Sequence, residues 1–130
     1  MRLVVDVNVV LAVVLGEPER EWAIAAAVDC DSLAPRSFPF EIGNALTSLV
    51  KRKRLSSEDM LAAWRAAATF QVTLRDVDMS AALRLAGVHN IYAYDAYILQ
   101  CAIDSRAKLL TLDQRMAAVG RSIGLDVVET

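Results

Sequence analysis

A three-layer α/β sandwich around a five-stranded, mainly parallel sheet is the fold this sequence predicts. Two observations point to it. Short apolar runs alternate with segments of helical period along the whole chain, the order that builds a sheet flanked by helices. Runs such as Leu3-Val4-Val5 are apolar at every position and rich in β-branched residues, which suits strands buried on both faces. With 130 residues, 55% of them hydrophobic, the chain is expected to form one domain over residues 1–130, large enough to hold a core without staples.

Taken in order, Leu3-Val4-Val5 reads as the first strand, and Asn8 to Leu15 as a short helix stopped by Gly16. Pro18 suits the first turn of a second helix, where Glu17, Glu19 and Glu21 lie near the positive end of its dipole. Ser32-Leu33-Ala34 is the next strand. From Phe38 to Arg54 the pattern is helical, with Pro39 tolerable in the first turn. Phe38, Ile42, Ala45, Leu46 and Leu49 form its apolar stripe, and the basic run Lys51-Arg52-Lys53-Arg54 closes it. Ser56 and Asp59 have the spacing of a loose capping box opening a fourth helix. Val72-Thr73-Leu74 is a strand, and Asp76 to Ala86 a helix ended by Gly87. Asp95 to Arg106 is a helix whose buried side carries Ile98, Leu99 and Ala102. Leu109 to Leu112 is a strand, Gln114 to Val119 a short helix, and Leu125 to Val128 the fifth strand.

The net charge of −2 and pI near 5.3 announce no global affinity for nucleic acid, although a local basic patch can hold phosphate on an acidic protein. Cys30 and Cys101 belong to no metal-spaced cluster, and two reduced thiols in a cytoplasmic protein is the simpler reading. The apolar stretch near the N-terminus is interrupted by Asp6 and Asn8 and is too short to span a membrane. It is read as strand and helix, and no membrane association is expected.

Four acids stand out. Asp6 and Asp113 come directly after apolar runs, so they fall at the carboxyl ends of strands, where open parallel sheets place their ligand sites. Asp95 heads a buried helical stripe, and Glu41 lies at the edge of another. Asp6, Asp95 and Asp113 can each equally be a helix N-cap. Glu41, inside a helix, has no such alternative and needs something to compensate its charge. Acids aimed at one cleft would repel one another, and a divalent cation with a preference for hard oxygen, Mg²⁺ or Mn²⁺, removes that cost. The lone His89 and the separated thiols argue against zinc.

The segments Val4-Val5-Asp6-Val7-Asn8-Val9, Glu41-Ile42-Gly43-Asn44-Ala45-Leu46, Tyr94-Asp95-Ala96-Tyr97-Ile98-Leu99 and Leu110-Thr111-Leu112-Asp113 together resemble the PIN-domain nucleases, and most of all the VapC-type toxins of prokaryotic toxin–antitoxin pairs. The resemblance implies that the first and fourth strands are central neighbours, which would set Asp6 beside Asp113. It implies an acidic quartet of Asp6, Glu41, Asp95 and Asp113 that binds Mg²⁺ or Mn²⁺ and hydrolyses RNA, supported by Asn8 and Thr111. A small antitoxin as partner, and a homodimer, are implied as well. Val7 is bulkier than the family's usual residue, and Arg115 stands where some relatives carry another acid. Arg115 and Arg36 are the candidate RNA-phosphate ligands, while the Lys51–Arg54 run reads more simply as a solvated helix end. An RNA-processing nuclease that is not a toxin, or a non-catalytic binding module on the same fold, are the alternatives. A haloacid-dehalogenase-like phosphatase would need an acid where Asn8 stands. A phosphoryl receiver would need a lysine near Thr111-Leu112-Asp113.

Overall fold

The computed structural model describes residues 1–128 and shows an α/β fold with a parallel sheet. The sheet holds β1 (Arg2–Val5), β2 (Asp31–Pro35), β3 (Thr73–Arg75) and β4 (Lys108–Leu110) in the order β3-β2-β1-β4. Leu3, Val4, Leu33, Ala34, Leu109 and Leu110 are all buried, as expected for strands covered on both faces. β1 is central: Val4 pairs with Leu33 on one side and with Leu109 on the other. The neighbourhood of the first and fourth strands is therefore present.

Among the described residues the sheet has four strands, one fewer than expected. The segment from Leu125 to Val128 contributes one parallel bridge, Leu109 to Val127, held by two backbone bonds of 2.9 Å. It lies where a fifth strand would, beside β4. Since β4 is three residues long, it offers little edge on which pairing could extend.

Seven helices among the described residues complete the fold. α1 (Val7–Val14), α2 (Arg20–Ala27), α3 (Phe38–Lys51) and α4 (Ser57–Ala68) pack among themselves. α5 (Met79–His89) packs on α6 (Ala93–Ser105), which lies against β1, β2 and β4, and α7 (Gln114–Ser122) ends the order. Gly16, at φ 68°, turns the chain after α1. Several boundaries differ from expectation, among them the start of α5 at Met79 and the end of β4 at Leu110, and three do so for clear local reasons. Pro18 sits in the turn before α2, whose first residue is Arg20. Gly87 is carried inside α5, which runs on to a left-handed cap at Asn90, a residue that tolerates that conformation. Only Lys51 of the basic run is helical, because the chain leaves α3 through Lys53 at φ 58°.

The apolar stripes behave as read. Phe38, Ile42 and Leu46 on α3 are buried, as are Ile98, Leu99 and Ala102 on α6. Ser56 caps α4, its side chain accepting from Asp59 N at 3.0 Å. Gly120 of α7 lies close against Leu109 of β4 and Val127. A Cβ there would lie 3.1 Å from a methyl of Leu109 and 3.2 Å from one of Val127. Gly120→Val should therefore overpack this contact and cost about 1–3 kcal/mol, read as a lower denaturation midpoint in urea. An unchanged midpoint would mean that α7 sits further from the sheet.

Candidate active site

Adjacent parallel strands with a common register put their carboxyl ends side by side. Val5 pairs with Leu110, and the ladder continues as Asp6 N donates to Leu110 O at 2.9 Å. Asp6 and the segment Thr111-Leu112-Asp113 thus meet at the centre of the sheet edge, although they are far apart in the chain.

Asp6 is buried, 4% exposed, and both of its oxygens are engaged. Oδ1 accepts from Val7 N at 2.7 Å. Oδ2 accepts from Thr111 Oγ1 at 2.7 Å and from Asn8 Nδ2 at 3.2 Å. Asn8 also accepts from Leu112 N at 3.1 Å, and Thr111 Oγ1 from Asp113 N at 3.0 Å. Asn8 and Thr111 therefore tie the first helix to the end of β4 and hold the Asp6 carboxylate in one orientation. Asp113 caps α7, its Oδ1 accepting from Arg115 N at 2.9 Å and Met116 N at 3.2 Å. Its other oxygen makes no hydrogen bond among the described residues. Cap and ligand prove to be compatible roles for this residue, because a cap occupies one oxygen and leaves the second.

Glu41 and Asp95 stand in the first turns of α3 and α6, Glu41 within electrostatic reach of Asp6, and Asp95 within reach of Asp113. Asp95 is not an N-cap, since Tyr92 holds that position. The two are half-buried, and Glu41 Oε2 is buried without a hydrogen-bond partner. A carboxylate oxygen stranded in that way is costly unless a cation meets it.

Asp6, Glu41 and Asp95 are raised first by burial and then by the charges of neighbouring acids. Asp6 is raised to about 6, chiefly by burial, against the hydrogen bonds from Thr111 and Val7 and with smaller help from the charges of Asp95 and Asp113. Burial raises Glu41 to about 7, helped by Asp6 and Asp95. Asp95 is raised by burial and then by Asp113, while the positive charge of Arg115 draws it down. Like charges at close range produce such upward shifts. Among the described residues no three such side chains are already drawn together as ligands around one point. The donor chemistry nevertheless fits a hard divalent cation: neighbouring carboxylates raise one another, and one buried oxygen has no partner.

Of the two predicted arginines, Arg115 lies beside Asp95, its guanidinium donating to Asn90 O at 2.9 Å. Arg36 lies further along the sheet edge and pairs with Asp76. Arg75, at the carboxyl end of β3, escaped the sequence reading. Its place directly after a short apolar run was the available signal.

A parallel α/β protein with acids that sense one another's charge near the carboxyl edge of its sheet is the class these features define. The PIN domain family model matches residues 3–122. The chain belongs to the PIN-domain family. It is similar in structure to PAE2754 from Pyrobaculum aerophilum, with a TM-score of 0.71 and 24% identity, over 98% of this chain and 92% of that one. It is also similar to a chain in the crystal structure of VapBC2 from Rickettsia felis bound to a DNA fragment from their promoter. There the TM-score is 0.67 and the identity 13%, over 98% of each chain. At these identities the likeness is one of fold. No curated protein sequence matches the chain significantly. None of the helices among the described residues is long and apolar enough to cross a membrane.

Proposed function

We propose that this chain is a Mg²⁺- or Mn²⁺-dependent endoribonuclease of the VapC type, the toxin of a type II toxin–antitoxin pair. The observation that carries the proposal is that Asp6, Asp95 and Asp113 lie within one another's electrostatic reach, with Glu41 sensing Asp6 and Asp95 and burying one oxygen without a partner, in a family whose members are generally nucleases. The toxin assignment draws support from the likeness in fold to a chain of the VapBC2 complex. A small antitoxin and a second copy of this chain are the partners it implies, and the cytoplasm is the compartment.

Asp6, Asp95, Asp113 and Glu41 are the side chains that would hold the cation. When bound, the cation acidifies water and offsets charge developing on the phosphoryl oxygens. Asn8 and Thr111 keep Asp6 from rotating away. Asp113 is held through its cap, which leaves its second oxygen uncommitted. Glu41 orients the attacking water, and Arg115 meets a phosphate beside Asp95. Burial around Asp6 lowers the local dielectric, which strengthens each of these interactions. No nucleophilic side chain is required.

Single-stranded RNA incubated with the protein and Mn²⁺ or Mg²⁺ should be cut to fragments bearing 5′-phosphates and 3′-hydroxyls, and a chelator should stop the reaction. Intact RNA under both metals, or cleavage that persists in chelator, would sink the reading.

A further inference from the structure

We propose that the cleft at the carboxyl ends of β2 and β3 is a phosphate subsite for an RNA nucleotide flanking the one cleaved, an inference that rests on the ribonuclease reading. The cleft measures about 410 Å³ and is lined in part by Arg36, Ser37, Arg75, Met79 and Tyr97. β2 pairs in parallel with both β1 and β3, so this cleft and the four acids share one sheet edge. Neighbouring strands lie about 5 Å apart, which sets the cleft roughly 5–10 Å along the edge from Asp6, about one or two nucleotides of extended RNA. Tyr97 stands two residues after Asp95 on α6 and lines this cleft.

Three features of the lining suit a phosphate. Ser37 Oγ is buried and has no hydrogen-bond partner. Ser37 is also the N-cap residue of α3, a 14-residue helix, and makes no side-chain capping bond, so the Phe38 and Phe40 amides of its first turn, where Pro39 has none, lack a side-chain acceptor. A phosphate at this helix N-terminus can accept from the amides, and from the hydroxyl once the Ser37 side chain rotates toward the cleft. Arg75 makes no ion pair among the described residues, and its guanidinium is available to the same anion.

Arg36 is held by Asp76, whose side chain is 84% exposed. A pair this exposed contributes little, and a phosphate offers Arg36 two parallel bonds in its place. Asp76 also lines the cleft and opposes an incoming anion. It therefore acts as a brake on binding that RNA must displace. An acidic peptide would also meet two arginines here. The unsatisfied hydroxyl at a helix N-terminus favours a compact oxyanion, and the shared edge with the acids favours RNA.

The test is steady-state cleavage of a single-stranded RNA oligonucleotide in Mn²⁺. Arg75→Ala and Ser37→Ala should each raise KM about tenfold with kcat within about twofold of the parent, as expected for lost phosphate contacts. Asp76→Asn should lower KM. A methylphosphonate placed at the flanking phosphate should raise the parent's KM by the same factor and leave Arg75→Ala unaffected. Cleavage by the parent with KM unchanged in Arg75→Ala overturns the subsite and leaves the ribonuclease reading standing. No cleavage by the parent overturns both. Unchanged KM together with weakened binding of a polyglutamate peptide by Arg75→Ala would make the cleft a protein-docking site and overturn the subsite.

Discussion

Asp95→Asn is expected to reduce Mn²⁺-dependent RNA cleavage by about a hundredfold or more, the scale of losing one preorganised charged group from a reacting centre. The substitution keeps the shape of the side chain and the first turn of α6, so the fold should survive. It removes a charge that senses Asp113 and Arg115 and that raises both Asp6 and Glu41. Cation affinity should fall in parallel, seen by calorimetry as weaker Mn²⁺ binding. Far-ultraviolet circular dichroism should be unchanged. Cleavage equal to that of the parent would remove Asp95 from the site and, with it, the claim that α6 delivers an acid there.

The second large effect concerns stability against pH in the absence of divalent cation. Asp6 and Glu41 both bind their protons more tightly in the folded protein, at about 6 and about 7, than at the ordinary values of 3.8 and 4.5. Protonation therefore favours the folded state. Their contribution is complete below about pH 4 and is lost as pH rises through 6 to 7. For the buried Asp6 alone the change corresponds to about 3 kcal/mol; Glu41, being half-buried, adds less than its own rise would indicate. In chelator, Tm should fall between pH 4 and pH 8, and saturating Mn²⁺ at pH 8 should recover much of it. Glu41→Gln should flatten the profile and raise Tm at pH 8, because an uncharged amide can donate to a neighbouring acid where the carboxylate repels it. A profile for Glu41→Gln that superimposes on the parent's would show that the Glu41 charge is already compensated without metal. The same substitution should weaken activity, a site held at the expense of stability.

The order of strands and helices was readable because each element carries a local signal: uniformly apolar runs for β1 and β4, helical stripes for α3 and α6. The misplaced boundaries, at Pro18 and Gly87, fall on residues whose effect is set by their neighbours further along the chain. Gly87 terminates nothing because Asn90 provides the left-handed cap three residues later. The missing fifth strand failed for a tertiary reason. The apolar character of Leu125 to Val128 is satisfied by burial of Val127, and burial does not require a ladder.

The four acids were nameable from sequence, and their dual reading was not resolvable there. A helix cap and a metal ligand leave the same local mark, an acid before a helical segment. The structure shows that Asp113 is a cap with a second oxygen uncommitted, that Asp95 is no cap, and that Asp6 is bonded to Thr111 across 105 residues. Glu41's unpartnered oxygen and the pairing of Arg36 with Asp76, 40 residues away, were likewise invisible. By itself the sequence determined the α/β pattern, the family likeness and which side chains could do chemistry, because propensity, periodicity and residue type are local. Only the tertiary structure decided which of them meet, since the parallel register of β1 against β4 and β2 brings distant segments to one edge and leaves no trace in either segment alone.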